Sequence, residues 1–523
     1  MPLILDIQDL TIAFGDNPPV VDGVTFTLEA GEQLGVLGLS GSGKSMTALA
    51  CLGLLPPEAK VIRGSIIYYS REGQQTNLLA LSEKEWSGFR AKEISLVFQE
   101  PLTALNPVHR VRKQLTEAIQ KLLPGISTAE AREHHLREWL ARVELPTEQH
   151  DRILSAYPHE LSGGQRQRLL IALALLAQPG ILFADEPTTA LDTITETGIL
   201  DLLARLRREL NMTTVFITHD LDVLRRTSDR LLVMRSGKII REGKSKELIT
   251  DSPEERSRLF RVPGEEKEVP RTLVKAKNHS PAPAASALTV SQLKISYRGR
   301  AAWPWSLPEE LLAVRSVNLH VDCGEWVALV GPSGCGKSSI ARCLAGLVPK
   351  LSGEIKPPAN GNIQLVFQDP FSSLNPNHTV LTALREVLQL GRSQDTAESL
   401  LAAVGLPATE YGERLPAALS GGQRQRVAIA KALAAGPGLL IADEAVSALD
   451  VPLRKDILAL LSTIRQERNI GLLFISHDLK LVAQYADRVL IMEAGQIVEE
   501  GPASQVLAKP ESEMGKRLVA TKE

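Results

Sequence analysis

Two eight-residue strings, Gly38-Leu-Ser-Gly-Ser-Gly-Lys-Ser45 and Gly331-Pro-Ser-Gly-Cys-Gly-Lys-Ser338, share the pattern Gly-x-x-x-x-Gly-Lys-Ser. Glycines so spaced let the backbone curl until successive N–H groups converge on phosphate oxygens. A helix opening at the end of such a loop adds its positive N-terminus. Lys44 and Lys337 can then reach the β- and γ-phosphates, and Ser45 and Ser338 can ligate magnesium. Two acidic pairs, Asp185-Glu186 and Asp443-Glu444, end apolar runs. Their aspartates suit a magnesium role, and their glutamates suit a base that accepts a proton from an attacking water. His219 and His477 each follow another apolar run, at the strand-end position where α/β sheets bind nucleotides. Leu161-Ser-Gly-Gly-Gln165 and Leu419-Ser-Gly-Gly-Gln423 open helical stretches. The hydroxyls of Ser162 and Ser420, with the N–H groups of Gly163, Gly164, Gly421 and Gly422, form a second small phosphate-binding surface, and the serines also suit helix caps. Phe14 and Tyr297 precede the two loops and can stack on an adenine ring.

These groups need strands to end beside one another and helices to start there. Short apolar runs supply the strands: Gln33–Leu37, Gly180–Ala184 and Thr213–Ile217 in the first half, and Glu325–Val330, Gly438–Ala442 and Gly471–Ile475 in the second. Helical stretches such as Gln165–Ala177 and Gln423–Ala435 lie between them, which predicts a mainly parallel α/β sheet in each half. The halves are copies of one domain. Leu96-Val-Phe-Gln99 returns as Leu365-Val-Phe-Gln368, and Phe216-Ile-Thr-His-Asp220 returns as Phe474-Ile-Ser-His-Asp478. The repeat is far longer than the ~20–50 residues of solenoid arrays. The second half is shorter where the first carries polar sequence at Ser70–Trp86 and Lys121–Asp151, so these segments are expected to be surface insertions. The Pro/Ala-rich stretch 262–287 reads as a linker between domains 1–261 and 288–523. At ~3.1 Å per residue its last 18 residues, Pro270 to Ala287, can span ~55 Å, enough for the halves to sit face to face.

Composition narrows the class. Hydrophobic residues make up 44% of the 523 and charged residues 23%, which excludes a disordered chain. A net charge of −2 excludes a polyanion binder held by bulk charge, and no nucleic-acid partner is expected. Four cysteines in so long a chain form no disulfide framework and fit a reducing compartment. The N-terminus lacks the basic region of a signal peptide, and the longest apolar run, Leu169–Ala177, is far short of the ~20 residues of a membrane span. Cys335 lies beside a helix N-terminus and Lys337, a setting that lowers a thiol pKa, so it is expected to react with thiol reagents and to be protected by nucleotide. Cys51, Cys323 and Cys343 are expected to be ordinary buried thiols.

The order of phosphate loop, Gln, Leu-Ser-Gly-Gly-Gln, Asp-Glu, Ala-Leu-Asp and His resembles the ATP-binding cassette (ABC) family in both halves. The resemblance implies an α/β fold of two tandem P-loop nucleotide-binding domains, each with a mainly parallel sheet and a helical subdomain. It implies intramolecular pairing of the cassettes head to tail, with two ATP molecules and Mg²⁺ between them. One ATP would meet Gly38, Ser40, Gly41, Ser42, Gly43, Lys44, Ser45, Met46, Gln99, Asp185, Glu186 and His219, with Ser420, Gly421 and Gly422 across from them. The other would meet Gly331, Ser333, Gly334, Cys335, Gly336, Lys337, Ser338, Ser339, Gln368, Asp443, Glu444 and His477, with Ser162, Gly163 and Gly164. Ser45, Gln99 and Asp185, and likewise Ser338, Gln368 and Asp443, would hold the metal. Every catalytic position occurs twice, so two competent sites are expected. The second half reads Asp-Glu-Ala445 where the first reads Asp-Glu-Pro187, leaving the turn after Glu444 less restrained and predicting mild asymmetry.

Gln99-Glu-Pro-Leu-Thr-Ala-Leu-Asn-Pro107 and Gln368-Asp-Pro-Phe-Ser-Ser-Leu-Asn-Pro376 look like the peptide and nickel importer subfamily. That resemblance implies two integral-membrane permeases, an extracytoplasmic solute-binding protein beyond them, and peripheral placement at the cytoplasmic face of the cell membrane. The solute would be a peptide, nickel or another metal chelate, or an opine. No cysteine lies in residues 251–290, so the iron–sulfur cluster of some relatives is not expected. Two alternatives are a cassette ATPase of a soluble enzyme complex, as in carbon–phosphorus bond cleavage, and a ribosome-acting tandem cassette protein.

Overall fold

The computed structural model describes residues 2–39, 41–70, 73–98, 104–189, 191–249, 259, 286–298, 310–359, 362–367, 373–390, 393–446, 449 and 451–520. They form two compact units divided between Leu273 and Val274, with Asp192–Thr195 counted in the second. The linker stretch lies outside the described residues except Ser286 and Ala287, which open the strand Ser286–Arg298; Ala287 is buried, and that apolar contact draws the strand two positions into the expected linker.

In the first unit a six-stranded sheet runs Lys238–Lys244, Arg230–Arg235, Gln33–Gly38, Thr213–Thr218, Ile181–Asp185, Ile94–Val97. All neighbours are parallel except the outermost Lys238–Lys244. Alternate side chains feed two cores. Ile181 and Phe183 pack on one side with the helix Lys44–Cys51 and an antiparallel sheet built on Leu3–Phe14. Leu182 and Ala184 pack on the other with the helices Val111–Leu122, Ala129–Arg142 and Gly163–Leu175. A sheet covered on both faces needs apolar residues at every position, which is why its strands read as continuous runs.

The second unit repeats the plan. Its sheet runs Ile363–Val366, Leu439–Asp443, Gly471–Ile475, Trp326–Val330, Arg488–Glu493, Gln496–Pro502, again with only the last strand antiparallel. A helical group, Val380–Leu388, Ala397–Ala403 and Gly421–Ala434, packs over one face. Non-glycine residues with positive φ also recur in pairs, Asp9 with Gln292, Asn211 with Asn469 and Glu186 with Glu444, so the duplication extends to backbone detail.

The two polar segments of the first half are not surface additions. Leu78 and Trp86, in the turn Leu78–Ala80 and the helix Glu83–Phe89, are buried in the core beneath the P-loop helix. Leu136, Trp139 and Leu140 of the helix Ala129–Arg142 are buried in the helical core. In each, a few large apolar residues at helical spacing anchor an otherwise charged segment.

Candidate nucleotide-binding and catalytic sites

Each phosphate loop follows a central strand and runs into a helix. The first connects Gln33–Gly38 to Lys44–Cys51, and the second connects Trp326–Val330 to Lys337–Leu344. The residue before each helix must be glycine. Gly43 sits at φ 97° and Gly336 at φ 111°, and a Cβ there would lie 2.6 Å from the carbonyl oxygen of Val20 or Ala313. Both lysines are buried. Lys44 Nζ donates to the carbonyls of Gly38 (2.8 Å) and Leu39 (3.0 Å), and Lys337 Nζ to those of Gly331 (2.7 Å) and Pro332 (2.9 Å). A buried ammonium among carbonyl oxygens, at a helix N-terminus rich in N–H donors, calls for an anion. Among the described residues the hydroxyl of Ser42 is buried with no hydrogen-bond partner, a second group waiting for one.

Asp185 and Asp443 end the neighbouring strands and are both buried. Ser338 Oγ donates to Asp443 Oδ1 (3.2 Å), and Ser45 interacts with the Asp185 carboxylate. Burial raises both aspartates above the usual carboxylate range, and the adjacent glutamate adds to it; the serine bonds and nearby cations only partly oppose. Asp185 Oδ1 has no hydrogen-bond partner among the described residues. Hard oxygen donors of this kind fit magnesium, which takes one or two protein ligands and fills its octahedron with phosphate and water. No group of three or more His, Cys, Asp or Glu side chains able to hold a metal occurs among the described residues.

Glu186 and Glu444 follow at once, with left-handed backbones at φ 47° and 49°. Their N–H groups bond the carbonyls of Ile217 and Ile475 on the next strand, which holds the unusual turn. His219 Nδ1 lies 2.9 Å from Glu186 Oε1, whereas His477 Nδ1 lies 3.7 Å from Glu444 Oε1. Thr189 Oγ1 donates to Glu186 Oε2 (2.7 Å). Burial alone would raise Glu186; the bonds from His219 and Thr189 and the charge of Lys44 bring it below the usual range. Glu444 shares the φ of Glu186, while the histidine–glutamate spacing differs between the two cassettes.

Ser162 and Ser420 cap the helices Gly163–Leu175 and Gly421–Ala434 through reciprocal boxes. Gln165 N–H donates to Ser162 Oγ while Ser162 N–H donates to Gln165 Oε1, and Gln423 pairs with Ser420 in the same way. Gly163, Gly164, Gly421 and Gly422 form the first turn of those helices. Tyr297 is half-buried and its hydroxyl donates to Ser339 Oγ (3.2 Å), while Phe14 packs partly into the core below the first loop. Ser40, Gln99 and Gln368 lie outside the described residues.

The sequence model of the ABC transporter family matches residues 21–189 and 314–447. The chain belongs to the ABC transporter family. It is an ATPase carrying two ATP-binding cassettes in tandem. This ABC protein is 36% identical over 542 residues to the peptidoglycan transport ATP-binding protein YejF of Agrobacterium fabrum, covering 99% of this chain and 96% of that one. It is 38% identical over 559 residues to the glutathione import ATP-binding protein GsiA of Salmonella typhimurium, covering 99% and 89%. A solved structure of the archaeal ribosome recycling factor aABCE1 with the stalk protein aP1 superposes with a TM-score of 0.61 at 21% identity, over 98% of this chain and 92% of that one, and shares the fold. No helix among the described residues is long and apolar enough to cross a membrane.

One chemical expectation for this ABC ATPase is overturned. Cys335 is buried, and burial pushes its thiol up despite the Lys337 ammonium 3.8 Å away. Desolvation of a thiolate outweighs one nearby cation, so Cys335 is no activated nucleophile. Burial also pushes Cys51 up to about 12, while Cys323 is only half-buried. The cassettes also use residues whose roles were not read from the sequence. Gln165 and Gln423 are the capping partners just described, a role visible in the spacing Ser-x-x-Gln. Arg168 and Arg426 reach back to the carbonyls of Val143 (2.8 Å) and Val404 (2.7 Å), tying each signature helix to the end of a neighbouring helix. Asp220 and Asp478 cap the helices that follow the two histidines. Thr189 stands three residues after Glu186, and its hydroxyl reaches back to that carboxylate.

Proposed function

We propose that the chain is the ATP-hydrolysing subunit of an importer, energising uptake of a peptide or peptide-like solute through separate membrane permeases. The observation that carries it is a buried lysine and aspartate beside a half-buried glutamate and histidine in each cassette, on a chain similar over 99% of its length to importer and transport ATP-binding proteins. In this reading Gly38–Ser45 and Gly331–Ser338 cradle the triphosphate, together with Met46 and Ser339. Ser162, Gly163, Gly164, Ser420, Gly421 and Gly422 present a further phosphate-binding surface, and Phe14 and Tyr297 stack on adenine. Ser45 with Asp185, and Ser338 with Asp443, hold Mg²⁺, joined by Gln99 and Gln368; the ion supplies positive charge to the phosphate oxygens. Glu186 and Glu444 accept the proton of the attacking water, and His219 and His477 hold the glutamates and the γ-phosphate end of the site.

The cassettes are assigned to residues 1–261 and 288–523, the second extended to Ser286 by its first strand, and they are joined by the rest of the linker 262–287. The partners are two integral-membrane permeases and, through them, an extracytoplasmic binding protein, which puts the chain peripherally on the cytoplasmic face of the cell membrane. ATP binding favours one arrangement of such a machine and hydrolysis resets it. The test is a pull-down of the double variant Glu186→Gln with Glu444→Gln, which binds ATP and hydrolyses it poorly. Tagged protein is recovered from gently solubilised native cells with ATP, and its partners are identified by mass spectrometry. Recovery of two polytopic permeases is expected. Ribosomal proteins or a soluble enzyme assembly, without a permease, would overturn the importer reading.

A further inference from the structure

Resting on Glu186 as the base, we infer that Thr189 is a positioning residue for hydrolysis in the first cassette, its hydroxyl fixing the orientation of the Glu186 carboxylate.

Glu186 is a glutamate with a flexible stem, placed on a left-handed turn at the end of a strand. Its backbone is fixed by the bond from its N–H to Ile217 O (2.8 Å). That bond leaves the side-chain torsions open, and a base must point one lone pair at a single water. His219 Nδ1 holds Oε1 at 2.9 Å. A carboxylate held through one oxygen can still swing about that contact. Thr189 Oγ1, donating to Oε2 at 2.7 Å, supplies a second point and fixes the plane of the group. The donor is itself held: Thr189 N–H bonds Glu186 O (3.2 Å), so hydroxyl and carboxylate belong to one closed turn. Thr189 is half-buried, which limits competition from water for the same bond. Its methyl group restricts χ1 and keeps the hydroxyl aimed back along the turn. The preceding residue of the same turn does different work: Thr188 Oγ1 donates to Glu196 Oε1 (2.9 Å) on the helix Thr193–Leu210. The second cassette has serine, Ser447, at the position of Thr189, so a hydroxyl three residues after the base occurs in both sequences.

The test is steady-state ATP hydrolysis by the full chain. Thr189→Val keeps the branched shape and removes the donor; Thr189→Ser returns a hydroxyl. The second cassette retains its own base, so a defect confined to the first takes kcat to about half if the sites fire independently and lower if they fire together. The expected result is kcat at half or less for Thr189→Val, KM for ATP unchanged within about twofold, and recovery to near the parent rate in Thr189→Ser. A merely structural role would move KM or Tm with kcat and would not discriminate serine from valine. An unchanged kcat in Thr189→Val, or a Thr189→Ser variant as slow as Thr189→Val, overturns the inference. Glu186→Gln is run alongside to separate the two claims. If it is strongly impaired while Thr189→Val is not, only the role of Thr189 falls; if Glu186→Gln is unimpaired, the assignment of Glu186 as base falls as well.

Discussion

Replacing Trp86 by alanine tests whether the extra segment of the first cassette belongs to its core. The indole is 4% exposed. It lies edge-on to Phe89 with ring centroids 5.6 Å apart, and the Arg90 guanidinium sits 4.9 Å from its centre. It also fills the space over Gly53, where a Cβ would come within 2.4 Å of the ring. Arg90, held over the indole, donates to Leu52 O (2.8 Å) and Gly53 O (2.7 Å), the carbonyls that end the P-loop helix. Truncation of a buried tryptophan to alanine costs about 3–5 kcal/mol, from lost transfer energy and the cavity left behind. For a unit of this size each kcal/mol moves Tm by roughly 2–4 °C, so the loss is about 6–20 °C. Differential scanning calorimetry of the full chain measures it, with Lys84→Ala on the exposed face of the same helix as a control expected to change stability by less than about 0.5 kcal/mol. A Tm within 2 °C or so of the parent for Trp86→Ala would show that the helix Glu83–Phe89 rides on the surface and that the packing argument is wrong.

Three other outcomes are expected. In native protein, thiol labelling followed by mass spectrometry should modify half-buried Cys323 first and leave Cys51 and Cys335 protected with or without nucleotide; Cys335 labelling as fast as Cys323 would refute the dominance of burial over the Lys337 charge. Gly336→Ala places a Cβ 2.6 Å from Ala313 O at φ 111°, and equilibrium binding of a non-hydrolysable ATP analogue should fall from two per chain to one; retention of two would contradict the cradle assigned to that loop. Asp395 accepts from Arg468 (2.7 Å), and that bond holds its carboxyl below the usual range. A depressed folded pKa stabilises above the unfolded value of ~3.9, and the gain is lost as pH falls through the folded value. Asp395→Asn should therefore cost at most about 1 kcal/mol in urea unfolding at pH 7 and progressively less as pH is lowered below the unfolded value; a cost that does not fall with pH would assign the effect to something other than charge.

The sheet was legible because both its faces are covered, so each strand is an unbroken apolar run with ends marked by glycine or an acidic residue. The loops were legible because a phosphate cradle demands glycine where no other residue fits, as at Gly43 and Gly336. The thiol of Cys335 was misread because helix N-terminus and lysine are visible in the chain and burial is not. The two polar segments were misread for a related reason. In Ala129–Arg142 a majority of polar and charged residues hides Leu136, Trp139 and Leu140, and only their shared helical face reveals that they point inward. The hold on Glu186 was invisible because residue types alone do not show which way a turn aims its hydroxyl. The Leu-Ser-Gly-Gly-Gln strings were legible as a motif, but part of that motif serves the helix rather than a ligand.

The left-handed backbone at Glu186 and Glu444 sets folding against chemistry. A non-glycine residue in that conformation costs on the order of 1–3 kcal/mol, and asparagine or glycine relieves it. Each cassette therefore places a strained residue type at φ near +48°, at the one position where a carboxylate meets the end of the histidine strand. A library selected only for heat resistance would drift toward glycine or asparagine at 186 and 444 and recover well-folded chains that no longer turn over. Stabilisation campaigns on this scaffold must hold those two positions constant, and their enrichment for glycine or asparagine in a blind screen would gauge the strain directly.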